Sequence, residues 1–169
     1  MYVPCVVESV RVYVLTGQHV VLLKAAESDR LLPIWIGADQ AHSIAVCMAG
    51  IQSERPLTHD LLMDMLTKLG VEITRVIVKD LVDDGNGSGV FHGSVFLQIG
   101  EREIEVDSRA SDAIALAVRS GARILVTGEV FDRSSIALDP EEEDSVPAVF
   151  KQFISSLPDE QGGPPQTSG

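Results

Sequence analysis

Six segments rich in valine and isoleucine alternate between apolar and polar residues, and they occur in two blocks along the chain. Such period-two alternation is typical of β-strands that bury one face. The first block covers residues 2–15, 19–25 and 31–37, and the second covers residues 71–82, 90–100 and 102–108. Two helical segments separate the blocks, and a third follows the second block. This order of elements predicts an α+β fold rather than a regular alternation of strands and helices.

The helical segments are recognised by apolar residues that recur three and four positions apart, each ending at a glycine. They predict helices near residues 38–49, 58–69 and 110–120. Because each apolar stripe must be buried, we expect these three main helices to pack on a largely antiparallel or mixed sheet. A single domain over residues 1–135 follows, closed by a short strand or extended segment at residues 123–131.

The C-terminal part of the chain differs in composition from the rest. From Asp139 onward it holds seven acidic residues and one lysine. Residues 136–157 are therefore expected to form an acidic linker followed by a short C-terminal helix. Residues 158–169 combine low hydrophobicity with proline, glycine and serine, which predicts a disordered tail.

The formal net charge of −12 limits the partners that the protein can bind. A chain of this charge is not expected to hold nucleic acid on a broad basic face. Binding of a phosphate group would need a local arginine cluster or a divalent metal ion.

The context of the cysteines and the hydropathy of the sequence indicate the cellular compartment of the protein. Cys5 and Cys47 lie in apolar segments without a CxxC motif, so free thiols are favoured over a disulfide. The N-terminal segment lacks the basic start of a signal peptide, and no apolar run reaches the ~18 residues of a membrane span. We therefore expect a cytoplasmic protein with no membrane partner.

Two segments place polar and charged residues at the start of a predicted helix: "RPLTHDLL" at residues 55–62 and "DSRASDAIALAVR" at residues 107–119. Two interpretations are open. Thr58 in the first segment, and Ser108 or Ser111 in the second, are plausible N-caps of well-terminated helices. Alternatively, the free N–H groups and positive dipole end of each helix start could hold a phosphate or carboxylate.

The other histidines and the tryptophan are weaker candidates for chemistry. His19 and His92 lie in strands without acidic or cysteine partners at metal-ligand spacing, and His42 lies inside a helix. A metal site built on these side chains is not expected. Trp35 is expected to fill core or interface volume.

Three segments in this order, "LLPIWIGADQAHSIA", "RPLTHDLL" and "DSRASDAIALAVR", resemble the signature segments of the bifunctional nuclease family. The resemblance covers roughly residues 5–135. It implies a compact α+β domain that self-associates, with nuclease activity on RNA and DNA in some members. The family pattern D-x-R-P-S-D-A has proline where this chain has Ala110, which is expected to loosen the turn there.

Hydrolysis of phosphodiester bonds in RNA or DNA is the leading hypothesis. Asp107 and Asp112 could hold Mg²⁺ or Mn²⁺, which would generate a nucleophile and shield phosphate charge. His59 would act as general acid or base. Asp60 would orient His59 or join the metal shell.

The substrate-binding part of the hypothesis uses cationic and hydroxyl side chains. Arg55 and Arg109 would clamp the phosphate, with Ser111 beside them at the helix start. Because neither segment holds a base, a cation and two acids by itself, the two helix starts should meet in one site, with His59 and Asp107 within roughly 12 Å, a span one metal-bound phosphate could bridge.

A non-catalytic module is the rival hypothesis. It would be a homo-oligomer that recognises an anion or a protein partner, and the excess of acidic residues and the lack of an aromatic stacking platform favour it. The Ala-rich face of residues 41–49 and the strand containing Trp35 are the expected self-association surface.

Overall fold

Eight strands and four helices make up the computed structural model, which describes residues 1–83 and 89–137. The strands are β1 (Tyr2–Tyr13), β2 (Gln18–Ala25), β3 (Arg30–Ile36), β4 (Glu72–Asp83), β5 (Gly89–Ile99), β6 (Arg102–Arg109), β7 (Arg123–Thr127) and β8 (Ile136–Ala137). The helices are α1 (Ala38–Met48), α2 (Thr58–Lys68), α3 (Ala110–Ser120) and α4 (Gly128–Ser134). The predicted linker, C-terminal helix and tail lie beyond Ala137, outside the described residues.

The strands form one sheet in the order β6-β5-β4-β7-β1-β2-β3-β8. Every neighbouring pair is antiparallel except β4 and β7, which run parallel. The parallel pair arises because the chain returns through β5, β6 and α3 before β7 enters beside β4. The predicted α+β fold with a largely antiparallel, mixed sheet is confirmed.

Helix α3 is the central helix of the core. Its residues Ala113 to Ala117 are all buried, and the small alanine side chains let it approach the sheet closely. It contacts α1, α2 and four strands. Helix α1 contributes Ala41, Ser43 and Ile44 to the buried face between the helices.

Helix α2 does not bury the apolar stripe that the sequence predicts. The side chains of Leu61, Leu62, Met65 and Leu69 are between 40% and 73% exposed, and His59 is the buried residue of the helix. The helix is rotated so that His59 faces the core together with the half-buried Met63 and Leu66. The prediction of a core-facing stripe on this helix is wrong because polar contacts of His59, described below, set its orientation.

The segment at residues 123–131 also differs from its predicted extended form. Strand β7 ends at Thr127 and α4 begins at Gly128. The apolar residues Val130 and Phe131 of α4 are buried in the main core. A helix of seven residues spans about two turns, so its period could not be separated from strand alternation in the sequence.

Both cysteines and Trp35 lie in the part of the chain that the structure describes. Both thiols are free, and burial raises the pKa of Cys5 to about 11. Trp35 is 54% exposed and its ring lies 5.3 Å from that of Tyr13, so it does not fill the core. In the described part of the chain, no helix is long and apolar enough to cross a membrane.

Gly93 on β5 allows the sheet to approach the first turn of α3. A Cβ atom at this position would lie 3.1 Å from Cα of Ala110 and 3.4 Å from Cβ of Ala113. The contact with Ala110 is made to backbone, which cannot move aside without displacing the start of the helix.

We predict that Gly93→Ala lowers the free energy of unfolding by about 1–3 kcal/mol, as overpacking typically does. Gly128→Ala is the matched control, since its nearest contact would be 3.4 Å, an ordinary packing distance. Urea denaturation of both variants measures the difference. Equal stabilities of the two variants would show that the start of α3 adapts to the extra methyl group.

Candidate functional site

The start of α2 is stabilised by Asp60. The residue before the helix is Leu57, whose backbone N–H donates to Oδ2 of Asp60 at 2.8 Å. Thr58 is the first helical residue, so its prediction as the N-cap is wrong. A carboxylate at the third helical position satisfies the backbone donor and leaves the threonine hydroxyl without a capping role.

The start of α3 follows directly from β6. The strand continues to Arg109 and the helix begins at Ala110, without the predicted turn. No side chain caps this helix start, so Ser108 and Ser111 are not N-caps. Ala110 occupies the first helical position, where the proline of the family pattern is also favourable, and its place there involves no loosening.

His59 joins the two helix starts. Its Nδ1 atom lies 2.8 Å from Oγ of Ser43 on α1, and its Nε2 atom lies 3.0 Å from Oδ1 of Asp112 on α3. The imidazole is buried, and so is Ser43. Three helices therefore meet at one histidine.

The chemistry of these contacts assigns the protons. A carboxylate only accepts, so Nε2–H of His59 donates to Asp112. In the neutral imidazole, Nδ1 then accepts from the hydroxyl of Ser43. Both ring nitrogens are thus occupied inside the protein.

Asp112 also binds Arg109. The Nε–H group of Arg109 donates to Oδ2 of Asp112 at 2.7 Å, while the arginine side chain remains 62% exposed. Burial, the largest influence, raises the pKa of Asp112. Hydrogen bonds from Arg109 and His59 oppose it, so that this pKa lies below its ordinary value. Asp112 is therefore an ionised group that orients a largely exposed guanidinium.

Arg119, near the end of α3, forms a second connection between the same helices. Its Nε–H group donates to Oδ1 of Asp60 at 2.6 Å, and an Nη2–H group donates to the backbone carbonyl of Ser43 at 3.1 Å. The side chain is 7% exposed. The hydrogen bond from Arg119 is the main cause that holds the pKa of Asp60 below its ordinary value.

A cavity of about 710 Å³ opens beside these contacts. Four of the predicted site residues line it, namely His59, Asp107, Arg109 and Asp112. The two helix starts therefore contribute to one site. The cavity is also lined by six polar residues that were not predicted as site residues: Asp39, Gln40, His42, Ser43, Thr58 and Ser108.

The other predicted site residues lie elsewhere. Asp60 is held by Arg119 and by the backbone of Leu57, outside the residues that line the cavity. Arg55 is exposed in the loop before α2 and does not line the cavity either. Ser111 is buried and lines a second, smaller cavity of about 280 Å³.

The polar lining of the main cavity is more acidic than basic. Three carboxylates, those of Asp39, Asp107 and Asp112, lie against one guanidinium, that of Arg109. Much of the remaining wall is formed by leucine and valine. Ser108 lines the cavity, but its Oγ atom is buried and has no hydrogen-bond partner within residues 1–83 and 89–137.

The carboxylates do not form a preformed metal site. Both oxygens of Asp112 already accept hydrogen bonds from His59 and Arg109. Among the residues that the structure describes, no three His, Cys, Asp or Glu side chains cluster closely enough to hold an ion. The pair Asp107 and Asp112 therefore does not fit a resident Mg²⁺ or Mn²⁺.

Comparison with known proteins places this site in a family. The bifunctional nuclease domain matches residues 21–139, a range that includes the helices and strands that line the cavity. The chain belongs to the bifunctional nuclease domain family. An uncharacterized protein of Mycobacterium tuberculosis is 36% identical over 159 residues, which cover 89% of this chain and 92% of that protein.

A more distant family relative carries a functional name. Bifunctional nuclease 1 of Oryza sativa subsp. japonica is 27% identical over 115 residues. The aligned part is 66% of this chain and 34% of the rice protein. A protein named bifunctional nuclease from Oryza minuta matches to the same extent.

Two residues that connect the helices around the site were missed in the sequence. Ser43 lies in the middle of α1, where a serine has no local signal of a partner 16 residues away. Arg119 falls at the last turn of α3, where a basic residue is also expected simply to complement the helix dipole. Helical spacing did carry one clue, since Asp112 and Arg119 are seven residues apart and share a face of α3.

We predict that Asp60→Asn lowers the free energy of unfolding at neutral pH by about 2 kcal/mol. The expected decrease in stability is smaller than for the loss of one partner from a fully buried ion pair, because the Asp60 side chain is 38% exposed. The pKa of Asp60 is depressed in the folded state, so its stabilisation is present above the ordinary value of about 3.9 and is lost as pH falls through the folded value.

Denaturation of the wild type and Asp60→Asn across acidic and neutral pH measures this effect, and the two curves should converge in acid. Asp64→Asn is the control on the same helix, because its exposed pair with Lys68 contributes about 0.3–0.5 kcal/mol. Equal losses for the two variants would contradict a special role of the Asp60–Arg119 pair.

Proposed function

We propose that this protein hydrolyses phosphodiester bonds of RNA or DNA in the cavity between the starts of α2 and α3. One observation carries the proposal: Arg109 and His59 bind the same carboxylate, that of Asp112, at the wall of a cavity large enough for a nucleotide. Membership of the bifunctional nuclease domain family supports the same reaction class.

Arg109 is proposed to bind the phosphate. Its Nε–H is committed to Asp112, while the rest of the guanidinium is largely exposed and can donate to phosphate oxygens. The uncapped start of α3 adds free N–H groups beside it.

Asp107 and His42 are proposed to handle the proton of the attacking water. Both side chains are exposed and line the cavity. An imidazole nitrogen can accept a proton, so His42 is the proposed general base, and Asp107 can orient the water. His59 is less suited to that step, since both of its nitrogens are engaged.

His59 is instead proposed as a positioning residue. It holds Asp112 from one side, and Asp112 holds Arg109, so that the guanidinium is oriented before substrate binds. Preorganisation of this kind lowers the cost of arranging charge during the reaction. Asp60 is proposed to act indirectly. It binds Arg119, and Arg119 binds the backbone carbonyl of Ser43.

Assistance by Mg²⁺ or Mn²⁺ is part of the proposal in a restricted form. Magnesium is commonly held by one or two carboxylates together with substrate phosphates and water. Asp107 is the exposed carboxylate nearest in sequence to Arg109 that lines the cavity. An ion that depends on substrate oxygens would shield phosphate charge without a resident protein site.

A non-catalytic binding module is the second candidate. The acidic lining of the cavity favours it, because three carboxylates oppose the approach of a polyanion more than one arginine attracts it. The ligand would then be a small anion held by Arg109, or a protein partner. Activity of purified protein distinguishes this candidate from a nuclease.

Self-association is proposed through the exposed face of α2. The apolar side chains of Leu61, Met65 and Leu69 are more than half exposed on this helix, which a second copy of the chain could cover. This surface differs from the one expected around α1 and the strand containing Trp35. Ala41 and Ile44 of α1 are buried within one chain, whereas Trp35 is exposed.

We predict that Asp107→Asn and His42→Ala each lower kcat by about 10²-fold or more on a single-stranded RNA substrate. His59→Ala should lower kcat/KM by a similar factor, with a rise in KM because Arg109 is no longer oriented. His59→Ala should also lose stability, because Ser43 is left buried without its partner.

All variants are assayed below their melting temperatures and purified beside the wild type in the same way, so that a contaminating nuclease would show equal activity in each. Arg55→Ala, in the loop before α2, is the control and should retain activity. Full activity of both Asp107→Asn and His42→Ala would contradict the proposed site.

We predict that chelation abolishes hydrolysis and that Mg²⁺ or Mn²⁺ restores it, whereas the protein alone binds the ion only weakly. Equilibrium dialysis of Mn²⁺ with and without a non-cleavable oligonucleotide measures the second part. Tight binding of the ion without nucleic acid would show that the carboxylates form a site of their own.

We predict a homo-oligomer by light scattering at micromolar concentration. Replacing Leu61 and Met65 together by glutamate should give a monomer, since burying charges at an apolar interface is unfavourable. Substitution of Met48, an exposed apolar residue of α1, is the control. A monomeric wild type would remove the proposal.

A further inference from the structure

A second cavity lies next to the proposed phosphate-binding residue. Its volume is about 280 Å³, and its walls include Trp35 and Ile36 of β3, Phe91 of β5, and Arg109. Arg109 lines the main cavity as well. One guanidinium thus stands between the two cavities.

Trp35 is an unusual residue for a solvent-exposed strand position. Its side chain is 54% exposed, and its ring is tilted 45° against that of Tyr13 at a centroid distance of 5.3 Å. An apolar ring of this size is seldom left in water without a partner. The Tyr13 contact restricts the tryptophan on one side, so that the ring is held in place beside the cavity.

The free edge of β3 explains why this cavity exists. Strand β8 pairs only with Arg30 and Leu31. Pro33, which lacks an N–H donor, lies beyond that paired stretch, and among the described residues the remainder of β3 pairs with β2 alone. The unpaired part of β3 therefore leaves an opening, and aromatic side chains line it.

We infer that the second cavity is a nucleobase subsite for single-stranded nucleic acid, in which a base stacks on Trp35 while its phosphate binds Arg109. This inference rests on the proposed function. Aromatic faces accept any base, whereas a paired base inside a duplex is not free to enter. The occupant is a base rather than an apolar peptide side chain because the largely exposed guanidinium of Arg109, shared with the main cavity, can bind the adjoining phosphate.

The subsite names the substrate class of the nuclease. A strand that places one base in the second cavity would present its neighbouring phosphodiester at the main cavity. Binding by stacking also needs no broad basic face, which suits a chain with a net charge of −12. We therefore expect single strands to bind better than duplexes of the same sequence.

The single tryptophan of the chain makes the test direct, because tryptophan emission reports on Trp35 alone. Wild-type protein is titrated with a short oligothymidylate with phosphorothioate linkages, and with an abasic oligomer of the same length and charge. The expected result is saturable quenching by oligothymidylate, with about tenfold weaker binding of the abasic oligomer.

Variants test the same contact without relying on emission. Trp35→Leu should bind a labelled oligothymidylate about tenfold more weakly by fluorescence anisotropy, and Trp35→Phe should retain most of the affinity. Tyr2→Leu is the matched control, since Tyr2 is equally exposed but lies at the other end of β1 from Tyr13. Its affinity should be unchanged.

The outcomes separate the subsite from the nuclease activity. Base-dependent quenching by a protein that hydrolyses nothing would support the subsite and remove the proposed reaction. Equal binding of the abasic oligomer, or unchanged affinity of Trp35→Leu, would overturn the subsite even in an active nuclease. Tryptophan emission that changes with protein concentration, and does not change when oligonucleotide is added, would also overturn the subsite. It would assign Trp35 to a subunit interface.

Discussion

The burial of His59 is the constraint on which the arrangement of the helices depends. A buried imidazole is tolerable only when its polar atoms are paired, and here Ser43 and Asp112 supply both partners. The requirement fixes the rotation of α2, and it accounts for the leucines that this helix leaves in solvent. Where His59 joins the three helices, its hydrogen bonds thus determine the packing of α2, and burial of the α2 leucines does not.

The same contacts link stability to chemistry. Asp112 accepts from His59 inside the protein and from Arg109 at the surface, so one carboxylate connects the core to the cavity. Arg119 repeats the arrangement at the other end of α3, where it binds Asp60 and the backbone of α1. A rigid set of helices can therefore present a single oriented cation to a ligand, as binding sites commonly require.

Much of the fold was predictable because its signals are local. Apolar residues that recur three and four positions apart, with glycine at each helix end, located the three main helices to within one residue of their observed bounds. The meeting of the two helix starts was also predicted, from the complementary chemistry of the two segments. That argument used residue types alone, and it did not depend on how the helices pack.

The remaining features depend on partners distant in sequence. Nothing near Ser43 indicates that it pairs with His59, and the side that α2 turns to the core follows from that pair rather than from its leucines. The direct passage from β6 to α3 was hidden because serine and aspartate are common in turns and caps alike. Exposure of Trp35 depends on what the rest of the fold packs against β3, which the sequence alone does not show.

A double-mutant cycle on nuclease activity tests the central claim that the two helix starts act as one site. kcat/KM is measured for the wild type, His59→Ala, Asp112→Asn and the double variant. If His59 acts through Asp112, the double variant should be no worse than the more impaired single variant. Effects that multiply would show that the two residues act independently, and would contradict a shared site.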